Sequence, residues 1–235
     1  MNETDARYYS KYAIAAIRGN IKRLGKASLI RAQLLEKEID ELSGEEGEEL
    51  FDFARENEIK LYHFKRSDRL LPRVNKVLGF LKGIYFESLL DVGSGRGVFL
   101  LPFMEEFPNV PIKSIDILDK RVNMLSDIRN GGIPRLEVYK ASICDAPFPK
   151  KSVDVVTMLE VLEHIPDVGA AIRAAVDTAR KYVVVTVPSK EDDNPEHIHL
   201  LTKERLTAYF KACGADRLSF DGVTGHLFMI AKLGE

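Results

Sequence analysis

The sequence predicts an α/β fold: a doubly wound, mostly parallel sheet of seven strands with helices on both faces, preceded by a helical extension. Three observations carry that reading. From residue 87 onward, short apolar runs alternate with segments of helical period. Leu89 to Leu101 joins one such run to a helix through a turn built on Gly93, Gly95 and Gly97. Near the end, two β-prone runs are parted by Gly222-Val223-Thr224-Gly225, a pattern that suits a closing hairpin.

Residues 1 to 86 lack the strand rhythm and read as helices. Tyr8 to Arg18 and Ala27 to Leu42 carry apolar residues at helical spacing, and Ser43-Gly44 separates them from a third helix over Glu45 to Glu56. Pro72 suits a first helical turn, Val74, Val77, Leu78 and Leu81 form one apolar stripe, and Gly83 suits a stop. Beyond residue 87 the expected strands are Leu89–Asp91, Ile112–Asp116, Leu136–Tyr139, Val153–Met158, Tyr182–Val187, Arg217–Phe220 and Leu227–Ala231. Helices are expected over Val98–Phe107, Lys120–Asn130, Val168–Arg180 and Thr202–Cys213. The chain therefore divides into an extension, 1–86, and a catalytic-sized domain, 87–235.

Composition narrows the function. A net charge of −2 argues against a nucleic-acid binder that works through bulk charge. A local basic run remains: Lys60, Lys65, Arg66, Arg69, Arg73, Lys76 and Lys82, opposed only by Asp68 and preceded by the acid-rich stretch Glu36 to Glu58. It reads first as a solvated face paired with those acids, and second as a surface for an anionic substrate. No apolar run is long enough to span a bilayer, and Met1-Asn2-Glu3-Thr4-Asp5 is not a secretory start, so the expected location is cytoplasmic, with no membrane partner. Cys144 and Cys213 lie far apart and read as packing residues. Leu61-Tyr62-His63-Phe64 reads as core packing, with a lid over the ligand as the second reading.

The glycine turn is where a nucleotide-like ligand should sit, because glycines bring backbone N–H groups close and the following helix start offers unpaired donors. A dinucleotide fingerprint would need its third glycine at Val98, which disfavours NAD. Asp91-Val92-Gly93-Ser94-Gly95-Arg96-Gly97 instead matches D-x-G-x-G-x-G at every position. The stretch resembles motif I of the class I S-adenosylmethionine (SAM) methyltransferases, and with it residues 87–235 resemble their Rossmann-like domain. The resemblance implies SAM as cofactor, held by Asp91, Gly93, Ser94, Gly95 and Gly97. It also implies Asp116 on the ribose hydroxyls with Ile117 beside it, Ser142 and Ile143 along the adenine, and Leu159 at the end of the fourth strand. Many members carry Asp where Ser142 stands, and Asp145 is the alternative contact.

Leu159-Glu160-Val161-Leu162-Glu163-His164-Ile165-Pro166 follows the fourth strand, and Pro195-Glu196-His197-Ile198-His199-Leu200 follows the fifth. Ligands of an open parallel sheet bind beyond the carboxyl ends of its strands, so these loops should converge. Two carboxylates and imidazoles around one point suit a divalent ion. The set resembles the metal site of two groups, the small-RNA 3′-terminal 2′-O-methyltransferases and the O-methyltransferases of ubiquinone biosynthesis. That resemblance implies Glu160, Glu163, His164 and His197 around Mg²⁺ or Mn²⁺, with His199 as the second choice for the distant histidine, and His164 or His199 assisting proton removal. Leu200-Leu201-Thr202 replaces the aromatic-acidic ending of the small-RNA enzymes. The reading is therefore a methyltransferase acting on an oxygen of a small hydroxylated molecule. RNA ribose is an alternative acceptor; a SAM-binding scaffold and an aminopropyl transferase on the same fold are alternative functions.

Overall fold

The computed structural model describes residues 9–66, 70–146, 148–191 and 193–234. Helix α1 spans Ser10–Arg23 and buries Ala13, Ile17 and Ile21 along one face. It runs five residues past the expected end because Gly19 packs against another backbone rather than breaking the helix. Tyr8, where that helix was expected to begin, lies outside the described residues, as do Met1 to Asp5, Asp68, Arg69 and Pro147.

The helix expected over 27–42 does not form. That segment is a turn at Ala27–Leu29, a short α2 at Gln33–Glu36 and a turn at Ile39–Glu41. The Lys37 carbonyl accepts from buried Arg18 (2.8 Å), and Ile39 packs beside Gly132, so long-range contacts take the groups that a continuous helix would have used internally. Helix α3, Gly44–Glu56, starts at a capping box in which Glu46 N–H donates to the Ser43 hydroxyl and Ser43 N–H to the Glu46 carboxylate. Helix α4, Pro72–Lys82, has the expected proline entry and glycine exit.

The remaining elements alternate as expected. They are β1 (Leu89–Val92), α5 (Leu100–Glu106), β2 (Ile112–Asp116), α6 (Asp119–Asn130), β3 (Leu136–Lys140), β4 (Val153–Leu159), α7 (Val168–Thr178), β5 (Ala179–Pro188), α8 (Lys203–Ala212), β6 (Ala215–Val223) and β7 (His226–Leu233). Helix α7 stops two residues early because Ala179 joins the ladder opposite Val153, while Arg180 and Lys181 pair with the buried Asp154 carboxylate at 2.6 and 3.0 Å. The Thr202 hydroxyl caps α8.

The sheet order is β3-β2-β1-β4-β5-β7-β6, parallel except where β7 runs against β5 and β6. The order reverses between β1 and β4, which opens a crevice at their carboxyl ends. One face of the sheet packs under α4, α5 and α6, and the core there continues without a break into α1 and α3; the other face packs under α7 and α8. Helix α1 crosses α6 so closely that a Cβ on Gly19 would overlap the Asp127 backbone, and one on Gly131 would overlap the Ala15 carbonyl. Arg23 clamps the same junction through two 2.8 Å hydrogen bonds to the buried Asp127 carboxylate.

Two expectations need correction. Among the described residues, the basic run pairs not with the acids before it but with α5 and β6: Arg66 with Glu105, Lys82 with Glu106, and Lys76 with Asp221. The acids of 36–58 meet Lys11, Arg31, Lys37 and Arg55 instead. Cys144 is exposed rather than packed, because it sits on the irregular turn Ile143–Asp145; Cys213 is half-buried, and burial pushes its thiol pKa up. Among the described residues no helix is long and apolar enough to cross a membrane.

Candidate functional site

The loop after β1 owes its shape to glycine. Gly93 stands at φ +65°, and a Cβ there would come within 2.7 Å of the Val161 side chain. Beside it, Gly95 N–H donates to one oxygen of the Asp116 carboxylate at 3.0 Å, and Leu118 N–H donates to the other at 2.9 Å. The end of β2 is thereby tied to the glycine turn. Behind the loop, the Ser114 hydroxyl donates to that of Ser94, which donates to the Asp91 carbonyl. Thr157 donates to the Asp91 carboxylate at 2.7 Å.

Asp91 is fully enclosed, and burial pushes its carboxyl up to about 6, against the hydrogen bonds from Thr157 and Ser94 that pull it down. The sign follows from linkage. A carboxyl raised from 3.8 holds its proton more tightly folded than unfolded, so stability falls as pH rises from about 4 to about 6. The contribution is about 3 kcal/mol. Asp91→Asn, which keeps an acceptor for Thr157, is expected to remove it. Urea unfolding at pH 4.5 and pH 7 should show the variant gaining on the wild type by about 2 kcal/mol at the higher pH, the share of that contribution lying between the two conditions, and an unchanged difference would refute the assignment.

A cleft of 620 Å³ opens beside the turn. Gly93, Gly95, Asp116, Ile117, Ser142 and Ile143 line it, whereas Asp91, Ser94, Gly97, Leu159 and Asp145 do not. Val92, Leu118, Arg121 and Val161 also line it and were not singled out from the sequence. Arg121 carried a weak signal, a cation in the first turn of the helix after the β2 acid. The Tyr62–Phe64 turn divides between the two readings of that segment. Phe64 is core, whereas Tyr62 is exposed against the His63 ring, whose pKa is lowered by burial and then by the charges of Arg96 and Arg121.

Beside the cleft, which His164 also lines, one ligand atom each from Glu163, His164 and His197 lie within 4.8 Å of one another. The turn Leu162–His164 after β4 supplies two of them, and the loop after β5 supplies the third. Ile198 N–H donates to the Glu163 carbonyl at 2.9 Å and so holds the two loops together. His164 Nδ1 donates to the Glu196 carbonyl at 2.9 Å, so in the neutral ring Nε2 is the nitrogen able to ligate. His199 is held elsewhere, with Nε2 donating to the Pro166 carbonyl at 3.2 Å. Two imidazoles and a carboxylate are a donor set that fits Mn²⁺ or a similar transition ion better than Mg²⁺, which takes oxygen ligands.

Glu160 lines the cleft but stands outside that group. Its backbone is left-handed, at φ +59°, with its N–H on the Thr186 carbonyl. One carboxylate oxygen accepts from the Thr186 hydroxyl (2.9 Å), and the other faces His226 Nε2 at 2.8 Å. His226 was not visible as a site residue in the sequence. It reaches Glu160 because β7 pairs with β5, setting His226 opposite Pro188, and no local spacing reports that.

Comparisons with known proteins bear on the family and the fold. The family model of the methyltransferase domain matches residues 31–216. Ubiquinone biosynthesis O-methyltransferase from Yersinia pestis (strain Pestoides F) is 29% identical over 119 residues, 50% of this chain and 48% of that protein. The chain thus spans about half the length of the curated relatives it matches. Among solved structures, a SAM-dependent methyltransferase from Aquifex aeolicus superposes with a TM-score of 0.58 at 22% identity, over 70% of this chain and 91% of that one. The N-terminal domain of EvdMO1, with SAH bound, gives 0.60 at 14%, over 80% and 97%. Fold and glycine turn together define a class I SAM-dependent methyltransferase domain. This chain belongs to the methyltransferase-domain family, whose methyl donor is SAM.

Proposed function

We propose that this chain transfers the sulfonium methyl of SAM to an oxygen of a small hydroxylated molecule, with a divalent ion held by Glu163, His164 and His197. The observation that carries the reading is that group itself, at the carboxyl end of β4 beside the cleft. The name of the Yersinia relative, an O-methyltransferase, supports the choice of oxygen.

In this reading Asp116 exchanges its hydrogen bonds from Gly95 and Leu118 for the ribose hydroxyls, and Ser142 and Ile143 flank the base. The cleft walls hold the acceptor oxygen in line with the methyl carbon and the sulfur. The oxygen attacks the methyl carbon, the C–S bond breaks, and its electron pair stays on sulfur as S-adenosylhomocysteine. When bound, the ion would lower the pKa of the acceptor hydroxyl. His199, expected to assist proton removal, is engaged by the Pro166 carbonyl and does not line the cleft, so the departing proton is assigned to solvent rather than to that ring.

The test is transfer of labelled methyl from SAM into a hydroxylated metabolite extract and into small RNAs, each with Mn²⁺ or with chelator. Label is expected among the metabolites, cut at least tenfold by chelator and by Glu163→Ala, with SAM binding retained. Label in RNA instead would overturn the acceptor class, and chelator-insensitive transfer would overturn the metal. Cofactor binding without S-adenosylhomocysteine would favour a scaffold, and preference for decarboxylated SAM an aminopropyl transferase.

A further inference from the structure

The Glu160 carboxylate is held by two groups that have nothing to do with the Glu163–His164–His197 cluster. Thr186, on β5, donates to one oxygen, and His226, at the first position of β7, faces the other at 2.8 Å. His226 is itself fixed, with Nδ1 donating to the Thr224 carbonyl at 2.9 Å. The hairpin tip that bears it is bolted to the end of β5 by Ser189 N–H on the Gly225 carbonyl at 3.1 Å. Glu160 lies three residues before Glu163 on the same short stretch and lines the same cleft as His164. It is a second carboxylate beside a cluster of one carboxylate and two imidazoles, held outside that cluster by His226.

From this arrangement we infer that His226 and a divalent ion compete for the Glu160 carboxylate, so that the closing hairpin sets how tightly the Glu163–His164–His197 cluster holds metal. The inference rests on the metal reading above. The Glu160 carboxylate stands outside the group of mutually close donor atoms, and His226 is anchored on the Thr224 carbonyl, so the oxygen that joins the cluster must move off His226. Thr186 can stay on the other oxygen, and would then orient a ligand from behind, as groups in the second rank of metal sites do. Removing His226 removes the competitor and leaves Glu160 free to join. His226 is in this sense a positioning residue, acting on the metal through Glu160.

The experiment is titration of Mn²⁺ into the full chain by calorimetry, for the wild type, His226→Ala, His226→Gln, Glu160→Gln, Glu163→Ala and the double variant of 160 and 226. SAM binding by each protein checks that the fold is kept. His226→Ala is expected to bind Mn²⁺ about tenfold more tightly, the gain expected from releasing one hydrogen bond to a charged group. His226→Gln, which still offers a donor to Glu160, should stay near wild type. The double variant should bind no more tightly than Glu160→Gln alone. If His226→Ala binds Mn²⁺ no more tightly than wild type while Glu163→Ala abolishes binding, the competition is overturned and the metal reading stands. If none of the proteins binds Mn²⁺, the metal reading falls and the competition with it.

Discussion

Gly93→Ala is expected to raise the dissociation constant for SAM by ten- to a hundredfold. Two effects combine at this position. The backbone stands at φ +65°, where a side chain costs about 1–2 kcal/mol, and the added carbon would press on Val161 at 2.7 Å. Since 1.4 kcal/mol is a factor of ten, relief of either strain by moving the turn is enough to misplace the Gly93 and Gly95 backbone in the cleft wall. Calorimetry on the folded variant is the measurement. Unchanged affinity in a folded protein would mean that the cofactor is not seated on this turn.

Gly131→Ala should produce the largest loss of stability. The glycine has an ordinary φ of −89°, so the requirement is one of space alone: a methyl group there would overlap the Ala15 carbonyl of α1. Neither backbone can yield without undocking α1 from α6. A destabilisation of at least about 3 kcal/mol follows, equivalent to a fall in melting temperature of about 6–12 °C for a chain of this size. Gly79→Ala is the control. That position, inside α4, has nothing within 4 Å of the added carbon, and the change should be neutral or stabilising by up to about 1 kcal/mol. Comparable losses in both variants would refute the close-crossing account.

The part of the molecule legible in the sequence is the part fixed by neighbours along the chain. The β1 turn, the alternation of strands and helices and the caps at Ser43, Pro72 and Thr202 all depend on residues within a few positions of each other. The misreadings share the opposite property. The helix expected over 27–42 was lost to Arg18 and Gly132, and the basic run found its partners on α5 and β6. The site divides the same way. Glu163 and His164 are adjacent, and His197 joins them because its loop follows the neighbouring strand. The pairing of Glu160 with His226 depends on β7 inserting between β5 and β6, a fact of sheet order that no local pattern carries.

The crossing of α1 and α6 also constrains the order in which the molecule is made. The apolar face of α1 has its partner surface on Leu125, Ile128 and Gly131, about a hundred residues later in the chain. At about 5–20 residues per second, a ribosome needs about 5–20 s to add that stretch. During that interval the α6 side of α1 stays uncovered, even after α3 has emerged, so α1 cannot settle into its final place until α6 has been made.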